Sequence, residues 1–381
     1  MKLNQNLLFF SYDFPPLEGG ISRLCDEIVK QFILNKWDIK ALSVKRKVQD
    51  GFTNSIYPIE TVVAQRGLRE LHSFQKLFSF PKDTLIITGV WYPEALLVTL
   101  AGYKNFVVLA HGNDVMRGES TFKNKMLSTL RKWVLHRAKL VICNSHYTEK
   151  VIKEQFPEVN TKVCLLGVDE KRFSPVVNNS KIRKFLGLPV DKKIVLTVSR
   201  INKYKAHDVV LNALSKLTTD ERIKICYCIA GRGDYVESLK ALAVDLGVND
   251  CIHWFGFVDE GQLADLYRAS DLFVLCTREE KEQKAVEGFG LVFLEAQACG
   301  IPVIGSNQGG IPDAITHCDG GWIIERDDVT SLTQYFVKLV EDNTMFKEEG
   351  KKARKRIEKE TTWGHFSNRV FEAIETTGEI K

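Results

Sequence analysis

Long hydrophobic runs are absent from this sequence. Hydrophobic residues make up 44% of its 381 residues, yet no apolar stretch reaches about 18 consecutive positions. A helix that crosses a bilayer needs roughly 20 such positions, so we expect no transmembrane helix. The apolar run near the amino terminus is too short for a signal peptide, and we expect it to form a first strand, Leu7–Phe14. Together these absences predict a cytoplasmic protein.

A disulfide framework is also lacking. The nine cysteines have no regular spacing, and several fall within apolar segments, as expected for reduced, buried thiols. Cys226 and Cys228 would lie on one face of a strand, but no second pair of Cys or His residues completes a zinc site. We therefore expect no metal site at this pair.

Acidic residues are missing from one basic segment, residues 120–148. On a helix, its Lys and Arg residues would flank an apolar stripe that contains Met126, Leu127, Leu130, Trp133 and Val134. Such a helix can lie on an anionic membrane surface, or it can pack its apolar face on a sheet like any surface helix, and both interpretations stay open. The charge carries no recognition motif for nucleic acid, so we expect no nucleic-acid partner.

Strand and helix signals alternate along nearly the whole chain, which is typical of α/β domains with parallel sheets. The length allows two domains, each with its own core. We predict strands at Ile39–Val44, Phe106–Ala110 and Ile225–Ala230, a strand with a glycine kink at Trp254–Val258, and one polar helix near Leu332–Arg356.

The most informative stretch is Glu287–Glu295, Glu-Gly-Phe-Gly-Leu-Val-Phe-Leu-Glu. It follows a predicted strand and a charged loop, residues 278–284, whose role the sequence does not assign, and it runs into a predicted helix, Val292–Cys299. Gly288 and Gly290 would let backbone N–H groups at the helix amino terminus approach an anion closely. Two carboxylates beside an anion-binding turn suggest a ligand with hydroxyl groups at both ends and phosphate between them, as in a nucleotide-sugar.

This stretch, followed by Ala-Gln-Ala-Cys-Gly-Ile-Pro-Val-Ile-Gly and by Gly309-Gly310-Ile-Pro-Asp, resembles the donor site of retaining glycosyltransferases of family 4. It is especially similar to bacterial phosphatidylinositol-mannoside mannosyltransferases. The resemblance implies the GT-B fold, in which two Rossmann-like domains face a deep cleft. It places the amino-terminal acceptor-side domain at residues 1–168 and the donor-binding domain at 169–363, with a last helix, 364–381, crossing back onto the first domain.

The resemblance also implies roles for single residues. Arg200 and Lys205 would stabilise the diphosphate, Glu287 would hold sugar hydroxyls, and His111 would contact the sugar from its other face. Asp114 would either orient His111 or cap the segment that follows it. The remaining donor-binding residues would be Gly19, Gly20, Gly231, Val258, Gly288, Phe289, Gly290, Leu291 and Glu295.

The implied reaction is transfer of a hexose from a nucleoside-diphosphate sugar to an acceptor hydroxyl, with retention at the anomeric carbon. GDP-mannose is favoured, with UDP-glucose or UDP-N-acetylglucosamine as alternatives and a nucleotide-sugar 2-epimerase as a further one. Asp-x-Asp is absent, and two cations can replace a divalent metal, so we expect catalysis without a metal or cofactor. The basic first domain favours a lipid-linked or glycan acceptor in glycolipid, lipopolysaccharide or capsule assembly, and a peripheral position of the protein on the inner face of the membrane.

Overall fold

The computed structural model describes residues 6–15, 17, 19–45, 57–116, 121–280 and 285–377. The chain divides into two compact units. The amino-terminal unit comprises Met1–Leu166 and Trp363–Lys381, and the carboxy-terminal unit comprises Gly167–Thr362. Each unit is an α/β layer structure around one parallel sheet, which confirms the predicted fold class.

Within the described residues, the amino-terminal unit has a seven-stranded sheet in the order β3-β2-β1-β4-β5-β6-β7, and every pair is parallel. Its strands are β1 Leu7–Phe10, β2 Ile39–Val44, β3 Ile59–Val62, β4 Leu85–Thr88, β5 Phe106–Ala110, β6 Leu140–Cys143 and β7 Thr161–Val163. Its first helices are α1 Gly20–Leu34, α2 Leu68–Leu77, α3 Leu96–Leu100, α4 Phe122–Arg137 and α5 His146–Gln155. The central strands are buried along their whole length, as expected for a parallel sheet with both faces covered.

Within the described residues, the carboxy-terminal unit has six parallel strands in the order β10-β9-β8-β11-β12-β13. These are β8 Lys193–Val198, β9 Ile225–Ala230, β10 Ile252–Gly256, β11 Leu272–Leu275, β12 Val303–Ser306 and β13 Gly321–Ile324. The helices are α6 Ser180–Phe185, α7 His207–Ser215, α8 Thr219–Arg222, α9 Val236–Asp245, α10 Glu260–Ala269, α11 Leu291–Ala298, α12 Ile311–Ala314, α13 Val329–Glu341 and α14 Thr344–Glu360.

The last helix, α15 (Trp363–Glu375), belongs to the amino-terminal unit. Its Phe371 ring stacks on the indole of Trp37 at 5.3 Å between ring centroids and meets Phe32 of α1 edge-on at 4.4 Å. Aromatic contacts of this kind bury large apolar surfaces and fix the helix on α1. No helix in the described part of the chain has both the length and the apolar character to cross a bilayer.

Three element predictions need correction. The first strand ends at Phe10 rather than Phe14, and the strand predicted at Trp254–Val258 begins earlier and ends at Gly256, whose φ is +66°. The single helix predicted near Leu332–Arg356 is two helices, α13 and α14. They separate at Asp342, whose Oδ1 accepts hydrogen bonds from the Thr344 N–H at 2.9 Å and hydroxyl at 2.6 Å. A local bond of this kind competes with the helical backbone pattern.

Candidate functional site

The turn that precedes α11 comprises residues 287–290. Gly290 caps the helix with φ of +96°, a conformation that side chains disfavour, and a Cβ there would lie 2.6 Å from the Phe293 ring. The Gly310 N–H donates to the Glu287 carbonyl at 2.8 Å, which holds the turn against the loop after β12. Gly288, Phe289 and Leu291 complete this turn, so the motif read from the sequence forms one continuous backbone feature.

Glu287 and Lys205 form an ion pair in this turn. The Lys205 Nζ lies 2.6 Å from the Glu287 Oε2, and the two side chains are only 10% and 17% exposed. Burial acts to lower the pKa of Lys205, but the Glu287 carboxylate outweighs it and the pKa is raised. The ammonium group is therefore charged at neutral pH and held in place, with further N–H donors beyond the one that Glu287 accepts.

Arg200 lies on the exposed loop that follows β8. Its guanidinium lies 3.4 Å from the hydroxyl of Tyr204, and it borders a cavity of about 290 Å³. The other residues that line this cavity are Asn202, Lys203, Tyr204, Asp234, Tyr235 and Ala285. Asn202 and Asp234 are joined across it by a hydrogen bond of 2.8 Å. The arrangement places an exposed guanidinium next to polar side chains at the carboxyl edge of the sheet, where ligands bind in open α/β folds.

Gly231 brings the loop after β9 against the loop after β8. Its φ is +143°, and a Cβ at this position would lie 1.8 Å from the Ser199 carbonyl oxygen. Two backbone hydrogen bonds join the loops, from the Ile201 N–H to the Arg232 carbonyl at 2.8 Å and from the Tyr235 N–H to the Ile201 carbonyl at 3.1 Å. Only glycine fits so close an approach, which explains why the Arg200 loop has a defined conformation.

Glu295 lies on the buried side of α11 and is 3% exposed. Its Oε2 accepts a hydrogen bond of 2.8 Å from the hydroxyl of Tyr267 on α10. Val258 is half-buried and lies directly before α10, where the Asp259 carboxylate caps the helix by accepting from the Gln262 N–H at 3.1 Å. The two predicted nucleoside-binding positions therefore flank the same helix, α10.

His111, Gly19 and Gly20 belong to the amino-terminal unit. The His111 Nε2 lies 2.7 Å from the Gly89 carbonyl oxygen, so this nitrogen must carry the proton. The Asp114 Oδ1 accepts a hydrogen bond from the backbone N–H of His111 at 2.9 Å. This bond goes to the backbone that precedes Asp114, so it fixes the start of the His111 loop and is not a cap on the segment that follows. Gly19 caps α1, and its carbonyl accepts from the Arg23 N–H.

Sequence reasoning missed several partners. It treated Lys205 and Glu287 as separate ligand-binding groups rather than an ion pair, and it did not identify Tyr267 as the partner of Glu295. It also missed Arg278, which binds both carboxylate oxygens of Asp208 at 2.9 and 2.7 Å and anchors the start of the charged loop. Contacts between distant elements leave no spacing signal in the sequence. Residues 281–284 of that loop, and residue 120 of the basic segment, lie outside the described residues.

Helix α4 divides the predicted apolar stripe between two faces. Val134 is buried, and Leu127 and Leu130 pack against the core. Met126 and Trp133 instead face outward at 58% and 37% exposure, together with Phe122 at 85%. The outward face also carries Lys123, Lys125, Lys132 and Arg137.

The chain was compared with known families and proteins. Residues 178–360 match the family model described as "Glycosyl transferases group 1". A GDP-mannose-dependent monoacylated alpha-(1-6)-phosphatidylinositol monomannoside mannosyltransferase of Corynebacterium glutamicum is 26% identical, over 99% of this chain and 99% of the relative. A GDP-mannose-dependent alpha-(1-6)-phosphatidylinositol monomannoside mannosyltransferase of Mycolicibacterium smegmatis is 28% identical, over 88% of this chain and 89% of the relative.

Solved structures show the same architecture. The crystal structure of Anabaena Alr3699/HepE in complex with UDP superposes with a TM-score of 0.77 at 19% identity, over 98% of this chain and 100% of that one. WaaG, a glycosyltransferase involved in lipopolysaccharide biosynthesis, superposes with a TM-score of 0.70 at 15% identity, over 98% and 100% of the two chains. At these identities the likeness establishes the fold.

Proposed function

Because this chain is a family 4 glycosyltransferase with the GT-B fold that uses a nucleotide-sugar, we propose that it transfers mannose from GDP-mannose to the hydroxyl of a lipid-linked or glycan acceptor. The choice of donor is supported by the relatives from Corynebacterium and Mycolicibacterium, whose names give GDP-mannose as donor and whose similarity extends over most of the chain.

One observation carries the proposal: the shielded Lys205–Glu287 ion pair at the turn before α11. In the reaction, negative charge grows on the leaving diphosphate, and a cation fixed in advance stabilises that charge without reorganisation. Glu287 holds the cation and can accept hydrogen bonds from sugar hydroxyls through its other oxygen. Arg200, on the exposed loop after β8, supplies a second cation to the diphosphate.

The remaining residues bind the donor around this pair. The backbone of Gly288, Phe289, Gly290 and Leu291 would meet the sugar and phosphate, and Gly231 would let the β9 loop approach the nucleotide. The Val258 backbone would meet the base, Glu295 the ribose hydroxyls, and His111, Gly19 and Gly20 the sugar and acceptor from the amino-terminal unit. We infer that no metal is needed, because Lys205 and Arg200 carry the charge that a divalent cation would otherwise supply.

For the chemistry we favour front-face attack with retention. The acceptor oxygen bonds to the anomeric carbon on the face from which the diphosphate leaves, the carbon–oxygen bond to the phosphate breaks, and the departing phosphate oxygen takes the acceptor proton. This route requires cations on the diphosphate and no protein nucleophile. A double displacement would instead require a carboxylate that forms a covalent bond to the sugar.

The acceptor is proposed to be presented at an anionic membrane surface. The outward face of α4 combines Phe122, Met126 and Trp133 with flanking lysines. Exposed aromatic side chains between cations suit the boundary of an anionic bilayer, where each basic residue contributes about 1 kcal/mol.

The test is thermal unfolding of the full chain with GDP, UDP, ADP and GDP-mannose, each with and without EDTA, followed by a transfer assay with the nucleotide that binds. We expect GDP and GDP-mannose to raise the melting temperature equally in both conditions. If only UDP raised the melting temperature, the donor would be a UDP-linked sugar instead of GDP-mannose. A melting shift that EDTA abolishes would contradict the metal-free mechanism. Release of free sugar isomer without transfer would indicate a 2-epimerase instead.

A further inference from the structure

The segment that follows β4 joins three loops at the carboxyl edge of the amino-terminal sheet. The Gly89 carbonyl accepts from the His111 Nε2 at 2.7 Å. The Trp91 indole N–H donates to the Asp114 carbonyl at 2.7 Å. The Glu94 Oε1 accepts from the Tyr12 backbone N–H at 3.0 Å. The loops after β1, β4 and β5 are therefore held together by side chains of one short segment and by the imidazole that it binds.

Glu94 is an unusual group for such a tie, since it is 1% exposed and forms no ion pair within the described residues. Its Oε2 is enclosed and, among the residues that the structure describes, has no hydrogen-bonding partner. The ionisable groups around it are Tyr12 and Asp13 of the β1 loop, Cys25 of α1 and Arg69 of α2. Arg69 is committed elsewhere, because it pairs with Glu70 at 2.7 Å and lies over the Tyr12 ring.

We propose that Glu94 is a positioning residue for the hexosyl transfer, which holds the loop after β1 against the loop that carries His111. The inference rests on the proposed function, in which His111, Gly19 and Gly20 meet the sugar and acceptor. Glu94 is too enclosed to touch substrate itself and acts through the Tyr12 backbone and through the segment from Gly89 to Glu94.

The enclosed position makes this tie sensitive to pH. Burial raises the pKa of Glu94 to about 8, and the nearby Asp13 adds to this effect. The hydrogen bonds from the Tyr12 N–H and from its own backbone N–H, together with Arg69, lower the pKa but do not offset the burial. The folded protein thus holds a proton that the unfolded chain gives up near the ordinary Glu pKa. By linkage, stability falls as pH rises between that ordinary value and about 8, because ionisation leaves a charged carboxylate enclosed without an ion pair within the described residues.

Thermal unfolding of the full-length chain between pH 5.5 and 8.5 tests the tie without any substrate. Glu94→Gln keeps an oxygen acceptor for Tyr12 and cannot ionise. Its melting temperature relative to that of the unchanged protein should therefore increase by at least about 3 °C from pH 5.5 to pH 8.5. Glu154→Gln, the same change on an exposed helix of the same unit, should track the unchanged protein. Parallel curves for Glu94→Gln and the unchanged protein would overturn the proposal.

Transfer kinetics test the positioning role. Glu94→Ala should lower kcat about tenfold or more at pH 7 while the GDP-induced melting shift stays unchanged, because the nucleotide residues lie in the other unit. Glu94→Gln, which keeps the oxygen acceptor for the Tyr12 N–H, should restore kcat to within about threefold. Normal kcat in Glu94→Ala would overturn the role. If the unchanged protein transfers hexose from no donor, the proposed function fails, while the melting series still decides whether Glu94 forms the tie.

Discussion

The two units stabilise their polar edges in opposite ways. In the carboxy-terminal unit, charged partners hold the loops: Lys205 with Glu287, and Arg278 with Asp208. In the amino-terminal unit, the corresponding loops are held by hydrogen bonds with backbone groups, from the Tyr12 N–H to the Glu94 Oε1 and from the His111 imidazole to the Gly89 carbonyl. Fixed ion pairs suit a site that must bind a diphosphate, whereas hydrogen bonds to backbone groups fix the loops that would meet a sugar and an acceptor hydroxyl.

The largest expected effect comes from breaking the ion pair. Lys205→Ala should lower kcat/KM by about 10²-fold or more, because it removes a charge aimed at a developing anion, and Arg200→Ala should do the same. Loss of Lys205 also leaves Glu287 without its partner, so the melting temperature should fall as well. Steady-state kinetics on folded protein, with the exposed Lys216→Ala as control, measure the effect. Near-normal turnover in Lys205→Ala would show that the ion pair is not required for catalysis.

A substitution that leaves charge unchanged tests how the loops of the carboxy-terminal unit are held together. Gly231→Ala should destabilise the carboxy-terminal unit by about 3 kcal/mol or more, since the new Cβ would collide with the Ser199 carbonyl. Gly247→Ala is the matched control: its φ of +64° is also left-handed, but nothing lies within 4 Å. It should cost about 1 kcal/mol, from the backbone conformation alone. Equal losses in denaturant titrations would show that the close approach of the two loops is not required.

The two units should also respond to pH in opposite directions. His207 of the carboxy-terminal unit is 1% exposed and contacts Ser199 and Tyr227 through its two ring nitrogens. Burial, with Lys205 adding to it, lowers the pKa of His207 to about 4. The unfolded chain therefore binds the proton first as pH falls, and stability should drop by on the order of 3 kcal/mol between the ordinary His pKa and about 4.

Glu94 of the amino-terminal unit works the other way, because its stabilising form is lost as pH rises. Hydrogen exchange at pH 5 and pH 8.5 should show the carboxy-terminal unit less protected in acid and the amino-terminal unit less protected in alkali. His207→Gln should flatten the acid response only. Loss of protection in both units at the same pH would mean that neither group controls its own unit.

The smallest effect is expected on the surface of α4. Lys132→Gln should weaken binding to vesicles that contain anionic lipid about fivefold, the equivalent of roughly 1 kcal/mol per basic side chain. Lys104→Gln, an exposed lysine elsewhere in the same unit, is the control. Cosedimentation at two salt concentrations gives the measurement. Equal weakening by both changes would show that net charge, and not the face of α4, brings the protein to the membrane.

Sequence patterns predicted most of the fold because most strands are short apolar runs with a clear beginning. Ile39–Val44, Phe106–Ala110 and Ile225–Ala230 occur as predicted. The pattern failed where a local bond interrupts an otherwise helical stretch, as at Asp342, since an Asp in a polar helix gives no sign that its side chain will bind the backbone. The pattern also failed for α4, which has two apolar stripes, Leu127 with Val134 and Met126 with Trp133. The helical spacing of apolar residues does not by itself say which stripe faces the core.

The sequence by itself determined the parallel α/β fold and the turn from Glu287 to Leu291, because apolar periodicity and glycine positions are local properties of the chain. Tertiary structure alone decided which groups became partners. It placed Lys205 against Glu287 across 82 positions and Tyr267 against Glu295 across 28. It also enclosed Glu94 away from any ion pair within the described residues. Burial and charge pairing depend on which loops meet at a sheet edge, and that meeting is fixed only when the strands have assembled.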